Sequence, residues 1–433
     1  MRYRDVHRFD AAVIAAITLV VAGATFGSGT LFVAAAVPVT YLAIGAFSRP
    51  PPVASLAVER TLDPETPAPG ERTTVRLAVR NDGDRTMPDV RVVDRPPGPV
   101  PVSGGSPRGS VSLRPGEEAT ISYVIVPSQG EYQFDPPLVR LRPLSAVGTV
   151  TGEPSVDGAT ALRCRRGSGE VPLTRGSLPR VGTQPTDSPG PGTEFHSVRE
   201  YRPGDDIGRI DWRTLAKTGD LSTVNFRETR AAKTVLIVDG SATARRARGA
   251  GYPTGAELSA YAADRMCVGL LASGNRVGLT ALGIDETAVE VALPSDRHDR
   301  PWVPVGDDPA TRTRVDSVLE AVIDADEAEP KPSETDGGRR LDPTDLRARF
   351  PSRANAVVAT PLLDDEPIEL IEALADDHPI VVVSPDVTGA ETLGGRMAGI
   401  ERRLRIRRIR TAGATVIDWS TTEPLSAALE AKR

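Results

Sequence analysis

The chain has 433 residues and a formal net charge of −6. That length allows two or three domains with a sizeable core, and that charge excludes the strongly basic surface that nucleic acid demands of a partner. Two cysteines (Cys164, Cys267) and four scattered histidines (His7, His196, His298, His378) exclude a disulfide framework and a zinc site of His-x-x-x-His or Glu-x-x-His spacing.

The N-terminus differs from the rest. Ala11–Phe26 is almost wholly apolar, Gly27-Ser28-Gly29 turns the chain, and Thr30–Phe47 is apolar again. Each run approaches the ~17–25 residues that a helix needs to cross a bilayer, and the first extends back to Phe9. Arg2, Arg4 and Arg8 precede the first run, Arg49 follows the second, and the turn is uncharged. The positive-inside rule then sets an expectation: a transmembrane helical hairpin, helices 9–26 and 30–47, in the cell membrane. The N-terminus and the large C-terminal region are both placed in the cytoplasm, with the lipid bilayer as one partner. A cleaved signal peptide accounts for the first run but not the second.

Pro50-Pro51-Pro52 is a stiff linker. Beyond it, Val75, Leu77 and Val79 alternate with Arg76, Ala78 and Arg80, and Ile121, Tyr123 and Ile125 alternate with Ser122 and Val124. Period two means that one face packs and the other is wetter. Turn signals at Pro69-Gly70, Asn81-Asp82-Gly83-Asp84, Pro96-Pro97-Gly98 and Pro115-Gly116 separate these runs. The pattern predicts a small β-sandwich over 53–145 with no catalytic constellation of its own.

The remainder, 160–433, alternates strand and helix. Strands are predicted at Thr234–Val238, Arg276–Leu282 (paired with Ala288–Leu293), Asn355–Leu363, Ile380–Ser384 and Ala414–Asp418. Helices are predicted at Ala256–Ser273, Thr313–Asp324, Ile368–Ala375, Ala390–Thr411 and Pro424–Ala431. Apolar strands separated by helices imply an α/β domain with a mostly parallel sheet covered on both faces. The stretch 326–345, rich in Glu, Asp, Pro and Gly, reads as a flexible insertion.

In such sheets ligands bind beyond the carboxyl ends of the strands. Asp239, Ser241 and Thr243 follow the Thr234–Val238 run, and oxygens spaced two apart on a loop can converge on one hard cation. Magnesium suits such a set, because it takes few protein oxygens and keeps waters that a partner's carboxylate can displace. Asp364, after the strand Asn355–Leu363, is the expected second acid.

The segment before this strand carries Glu194-Phe195, Arg199-Glu200-Tyr201, Pro203-Gly204-Asp205-Asp206, Arg209-Ile210-Asp211-Trp212 and Thr218-Gly219. This long ordered set resembles the signature of the family catalogued as domain of unknown function fifty-eight (DUF58). The resemblance implies a von Willebrand factor A-like, Rossmann-like α/β domain. In it Asp239-Gly240-Ser241-Ala242-Thr243 stands in for the metal-ion-dependent adhesion motif Asp-x-Ser-x-Ser, with Thr243 in the third hydroxyl position. It also implies a further Thr ligand, for which Thr311 and Thr313 are the candidates, and a partner, a MoxR-type AAA+ ATPase, in assembly or activation of other complexes.

Arg199, Tyr201, Gly204, Asp205, Asp206, Arg209, Asp211 and Trp212 are expected to be structural, a charge lattice with Trp212 packed beneath it. His196 reads as a structural hydrogen-bond donor. The arginine-rich run Glu401–Arg410 reads either as a solvated helix face or as a contact for anionic lipid or an acidic partner. The leading expectation is a membrane-anchored interaction protein and not an enzyme. The alternatives are a metal-dependent hydrolase using Asp239 and Asp206, and a structural envelope protein whose degenerate site leaves Asp239 as a loop cap.

Overall fold

The structure, a computed structural model, describes residues 2–5, 10–47, 52–143, 148–165, 184–203, 206–294, 300–325, 343–389 and 392–431. The chain divides into two compact units, Met1–Gly167 with Ala250–Tyr252, and Ser168–Gly249 with Pro253–Arg433.

The first unit begins with β1 (Arg2–Asp5), α1 (Asp10–Phe26) and α2 (Gly29–Phe47). Here the structure overturns the transmembrane hairpin. Among the described residues no helix is long and apolar enough to cross a membrane. The 17 residues of α1 reach about 26 Å at 1.5 Å per residue, short of a ~30 Å hydrocarbon core. The 19 residues of α2 contain Pro38, which removes a helical hydrogen bond from the middle of the run. The two-pass topology and the cell-membrane localisation, both of which rested on that hairpin, fall with it.

Eleven strands follow: β2 (Leu56–Asp63), β3 (Thr73–Asn81), β4 (Met87–Arg95), β5 (Val102–Gly105), β6 (Arg108–Leu113), β7 (Glu118–Ile125), β8 (Gly130–Gln133), β9 (Asp135–Arg142), β10 (Gly148–Gly152), β11 (Asp157–Gly158) and β12 (Ala161–Cys164). Together with β1 they form two five-stranded sheets, β1-β10-β9-β4-β6 and β11-β2-β3-β7-β5, and a small β12-β8 pair. The alternation seen in sequence decides the faces: β3 buries Val75, Leu77 and Val79 and turns Arg76 and Arg80 outward. Val58, Leu77 and Val79 from one sheet pack with Val90, Val92, Val139 and Leu141 from the other.

The same alternation on β2 puts Arg60 among the inward positions, between Val58 and Leu62. Its guanidinium crosses to the opposite sheet. Nε donates to Asp94 Oδ2 at 3.2 Å, and a second nitrogen donates to Oδ1. Tyr123 Oη also donates to Asp94 Oδ2, at 2.7 Å, and the guanidinium lies 4.4 Å from the Phe134 ring centroid. Burial first, and then the Asp94 charge, push the Tyr123 hydroxyl well above the usual phenol range. A charge buried this deeply is tolerable only while its partner remains. Asp94→Ala strands Arg60 in an apolar core; it is expected to cost about 3–5 kcal/mol, measured by urea denaturation of the full chain, whereas Asp82→Ala on the surface is expected to cost little.

The second unit opens with a two-stranded sheet, β13 (Gln184–Glu200) and β14 (Ser222–Arg230), with α3 (Trp212–Thr218) in the excursion between them. Then come β15 (Lys233–Asp239), α4 (Gly255–Ala272), β16 (Arg276–Leu282), β17 (Trp302–Gly306), α5 (Pro309–Asp324), α6 (Pro343–Arg349), β18 (Asn355–Ala359), α7 (Glu366–Ala375), β19 (Ile380–Asp386), α8 (Leu393–Thr411), β20 (Thr415–Ser420) and α9 (Leu425–Glu430). The predicted insertion 326–345 lies outside the described residues as far as 342, and its last three residues open α6.

The six-stranded sheet has the order β17-β16-β15-β18-β19-β20. All neighbours are parallel except β17, which runs antiparallel to β16. The strand paired with β16 is thus Trp302–Gly306 and not Ala288–Leu293, because Glu286–Ala288 turns as a short 3-10 helix. Val235 and Ile237 of β15 face α6, α7 and α8 through Leu346, Ile371 and Ile409, while α4 and α5 pack on the other face. With both faces covered, β15 is apolar without alternation.

Candidate functional site

Strands β15 and β18 are neighbours, but the chain leaves them in opposite directions. After β15 it passes through α4 to β16 on one side, and after β18 through α7 to β19 on the other. Such divergence at the carboxyl end of the sheet is a topological switch point, the place where open α/β sheets bind ligands. Asp239, the last residue of β15, sits there, 2% exposed.

Its carboxylate is held from both sides of the switch. Ser241 N donates to Oδ1 at 3.1 Å, and Thr360 Oγ1 donates to Oδ2 at 2.7 Å from the first turn after β18. Ala244 N donates to Ser241 Oγ at 3.3 Å, which folds the Asp-x-Ser-x-Thr loop back on itself. The half-buried Thr243 hydroxyl makes no hydrogen bond among the described residues. The loop after β16 closes over this turn. Gly283 has φ +70°, and a Cβ there would lie 2.5 Å from Ser241 Cα, so only glycine lets the two backbones approach this closely.

The loop after β18 is as tightly determined. Thr360 Oγ1 accepts from Leu362 N at 3.1 Å, and Leu362, fully buried, is held at φ +57°. A bulky residue in the left-handed region is a strained position of the kind that clusters at functional loops. Two residues on, Asp364 is half-buried and accepts from Glu366 N at 3.3 Å.

Burial pushes the Asp239 carboxyl above its ordinary value. The hydrogen bonds from Thr360 and Ser241 oppose that shift, and the nearby Asp364 charge adds to it. Neither acid has an arginine or lysine in ion-pair reach among the described residues. Asp264, equally buried, has Arg312. The donor set, two carboxylates with the hydroxyls of Ser241 and Thr243, is all oxygen and net negative, which fits a hard divalent cation such as magnesium. Among the described residues no three His, Cys, Asp or Glu gather around one point, so hydroxyls and waters must complete the coordination of any cation bound here.

Thr313 is not brought to this site. Gly306 pairs with Val277, whereas Asp239 pairs with Leu282, five residues further along β16. At ~3.3 Å per residue that is roughly 17 Å, so α5 starts at the opposite end of the sheet. Thr311 donates there to Asp308, capping α5, and Thr313 donates to Pro309 O.

The residues of the preceding segment are used as local architecture. Asp206 caps a 3-10 turn by accepting from Gly208 N, so the structure does not join it to Asp239. Asp211 caps α3, accepting from Arg213 N, Thr214 N and Thr214 Oγ1. The Thr214 hydroxyl, before the backbone amides, holds its carboxyl below the usual range. Arg199 donates to its neighbour's carbonyl, Glu200 O, and Arg209 N donates to Asp206 O. Tyr201 N pairs with Leu221 O. Trp212 is 58% exposed rather than packed beneath the segment. Gly204, Asp205 and the His196 side chain lie outside the described residues.

Two residues escaped the reading of the sequence. Thr360 stands within an apolar run that reads as continuous strand, yet the strand ends at Ala359 and leaves its hydroxyl aimed at Asp239. Arg402, in the arginine-rich run, is 2% exposed. It donates to Pro361 O, Ser384 O and Asp418 Oδ1, tying together the carboxyl ends of β18, β19 and β20.

Residues 197–388, which include these loops, match the family described as "Protein of unknown function DUF58". Curated relatives include the uncharacterized protein Rv1480 of Mycobacterium tuberculosis (strain ATCC 25618 / H37Rv) and the uncharacterized protein Mb1516 of Mycobacterium bovis. Each is 42% identical over 55 residues, which is 13% of this chain and 17% of the relative's length. Among solved structures, the CARDB domain of the PF1109 protein from Pyrococcus furiosus aligns at 23% identity, over 25% of this chain and 88% of that one, with a TM-score of 0.17. The FixG-related protein from Vibrio parahaemolyticus aligns at 13% identity, over 24% and 94%, with a TM-score of 0.16.

The upward shift of the Asp239 carboxyl gives a signed expectation. A carboxyl whose folded value lies above its unfolded one favours the fold at acid pH, and that contribution is lost as pH rises through the folded value. At neutral pH without divalent cations, Asp239→Asn removes the cost of burying a charge and should raise the melting temperature. The gain should shrink as pH falls and the wild-type carboxyl takes up its proton; thermal melts in EDTA across pH check both parts.

Proposed function

We propose that this chain is an interaction protein whose second unit is a von Willebrand factor A-like domain that docks a protein partner through a divalent cation. Asp239, Ser241, Thr243 and Asp364 would hold the cation, which supplies an open position for a carboxylate of the partner. The observation that carries this reading is the missing counter-charge. Asp94 has Arg60 and Asp264 has Arg312, whereas buried Asp239 has the acid Asp364 beside it and no basic side chain in reach among the described residues. A buried anion without a cation is costly, and a bound divalent ion removes that cost. The parallel sheet with one antiparallel edge strand, and the site's place at the switch point, also support the reading.

No acid–base pair or nucleophile with a neighbouring base accompanies the site among the described residues, and binding is the function this geometry serves best. The partner we propose, on the resemblance of the signature segment, is a MoxR-type AAA+ ATPase, with the pair acting in assembly or activation of other complexes.

Capture of that ATPase by the tagged full chain, in magnesium and in EDTA, tests the reading. Wild type is expected to retain the ATPase only with the divalent ion. Asp239→Ala and Asp364→Ala are expected to lose it in magnesium as well, which separates this site from the ATPase's own nucleotide-bound metal. Equal capture by wild type and both variants would overturn metal-dependent docking.

A further inference from the structure

Beyond that reading, and at a different surface, we infer that the outward face of α8 is a docking seam for an acidic amphipathic helix of a protein partner. The inner face of α8 is occupied: Gly399, Ile406 and Ile409 are buried against the domain. The outer face is not. Leu393, Met397, Ile400 and Leu404 are 79%, 60%, 47% and 56% exposed. Their spacing of four, three and four residues puts them in one narrow line, the a/d pattern by which one helix receives another. A contiguous apolar line left in water on an otherwise well-packed domain marks an interaction surface.

The charges beside that line point to the occupant. Arg402, Arg405 and Arg408 are consumed within the domain by Asp418, Asp365 and Glu372. Arg396 and Arg403, seven residues apart, flank the apolar line on one side, Arg407 takes the next position of the line itself and Arg410 continues the flank past its end; none of the four has an acidic partner among the described residues. In a chain of net charge −6, an unpaired arginine row beside an apolar seam is complementary to a helix with apolar a and d positions and acidic flanks. A second copy of this chain fits poorly: antiparallel pairing of two such seams sets the arginine rows against each other, and parallel pairing places Arg403 opposite Arg408, already held by Glu372, and so gives Arg403 no acid to meet. A lipid surface favours a broad apolar face with Trp or Phe, and this line is narrow and has neither.

The test titrates the full chain into a fluorescent designed peptide with Leu at heptad a and d and Glu at e and g. A matched peptide with Lys for Glu and vesicles of phosphatidylserine and phosphatidylcholine are run alongside. The Glu peptide is expected to bind, more weakly at high salt, and the Lys peptide is not. Met397→Glu with Leu404→Glu should weaken binding about tenfold or more. The triple variant Arg396→Glu, Arg403→Glu, Arg410→Glu should switch preference to the Lys peptide, and Asp239→Ala should change nothing. All substituted α8 positions are exposed, so unchanged melting temperatures verify the fold. Equal binding of the two peptides, binding insensitive to these substitutions, or vesicle binding in place of peptide binding would overturn the inference.

Discussion

One hydrogen bond organises the second unit: the Thr360 hydroxyl donating to the buried carboxylate of Asp239. It joins the ends of β15 and β18 at the one place where the chain leaves neighbouring strands in opposite directions. Everything at that end of the sheet is arranged around it. Thr360 also accepts from Leu362 N, which fixes the left-handed turn, and that turn positions Asp364 near Asp239. On the other side the Ser241 amide and the close approach of Gly283 fix the Asp-x-Ser-x-Thr loop. The result is a fixed set of oxygen donors at the switch point, with two acids near each other and no basic side chain in ion-pair reach among the described residues.

The rest of the protein shows how unusual that arrangement is. Two other buried aspartates each have an arginine in ion-pair contact. Arg60 crosses the sandwich to Asp94 and Arg312 reaches Asp264 on α4, while buried Arg402 on α8 pairs with the exposed Asp418. Lysine, with its single strongly hydrated charge, plays no part in these pairs; the planar guanidinium satisfies several acceptors at once, as Arg402 does with Pro361 O, Ser384 O and Asp418. Asp239 departs from this pattern at the position where the fold offers a ligand site.

The sequence carried much of this, unevenly. The apolar run Thr234–Val238 without alternation reads as a strand covered on both faces, and the oxygens after it are visible because local spacing writes them into five consecutive residues. Thr360 was invisible because its role depends on a strand ending one residue earlier, at Ala359, and on a neighbour 121 residues away. Thr311 and Thr313 were candidates because the family resemblance implies a further Thr ligand, but an antiparallel β17 carries the chain to the far end of the sheet before α5 begins, and strand direction is not legible in a short apolar run. Arg60 and Arg402 show the reverse case. Each sits at an inward position of its element's own periodicity, yet charge alone argued for solvent. The N-terminal runs had the composition of membrane spans but not the length: α1 ends at Phe26 after 17 residues, and α2, continuous over 19 residues, carries Pro38 within it.

The central claim is that Asp239 is a buried carboxylate waiting for a cation. Its titration, followed by carbon NMR of the full chain labelled at aspartate, tests that most directly. In EDTA the account predicts one aspartate that titrates above the ordinary carboxylate range and disappears in Asp239→Asn. Saturating magnesium should pull that titration down to or below the ordinary range, with the effect lost in Asp364→Ala. A titration that is normal in EDTA, or one that magnesium leaves in place, would contradict it.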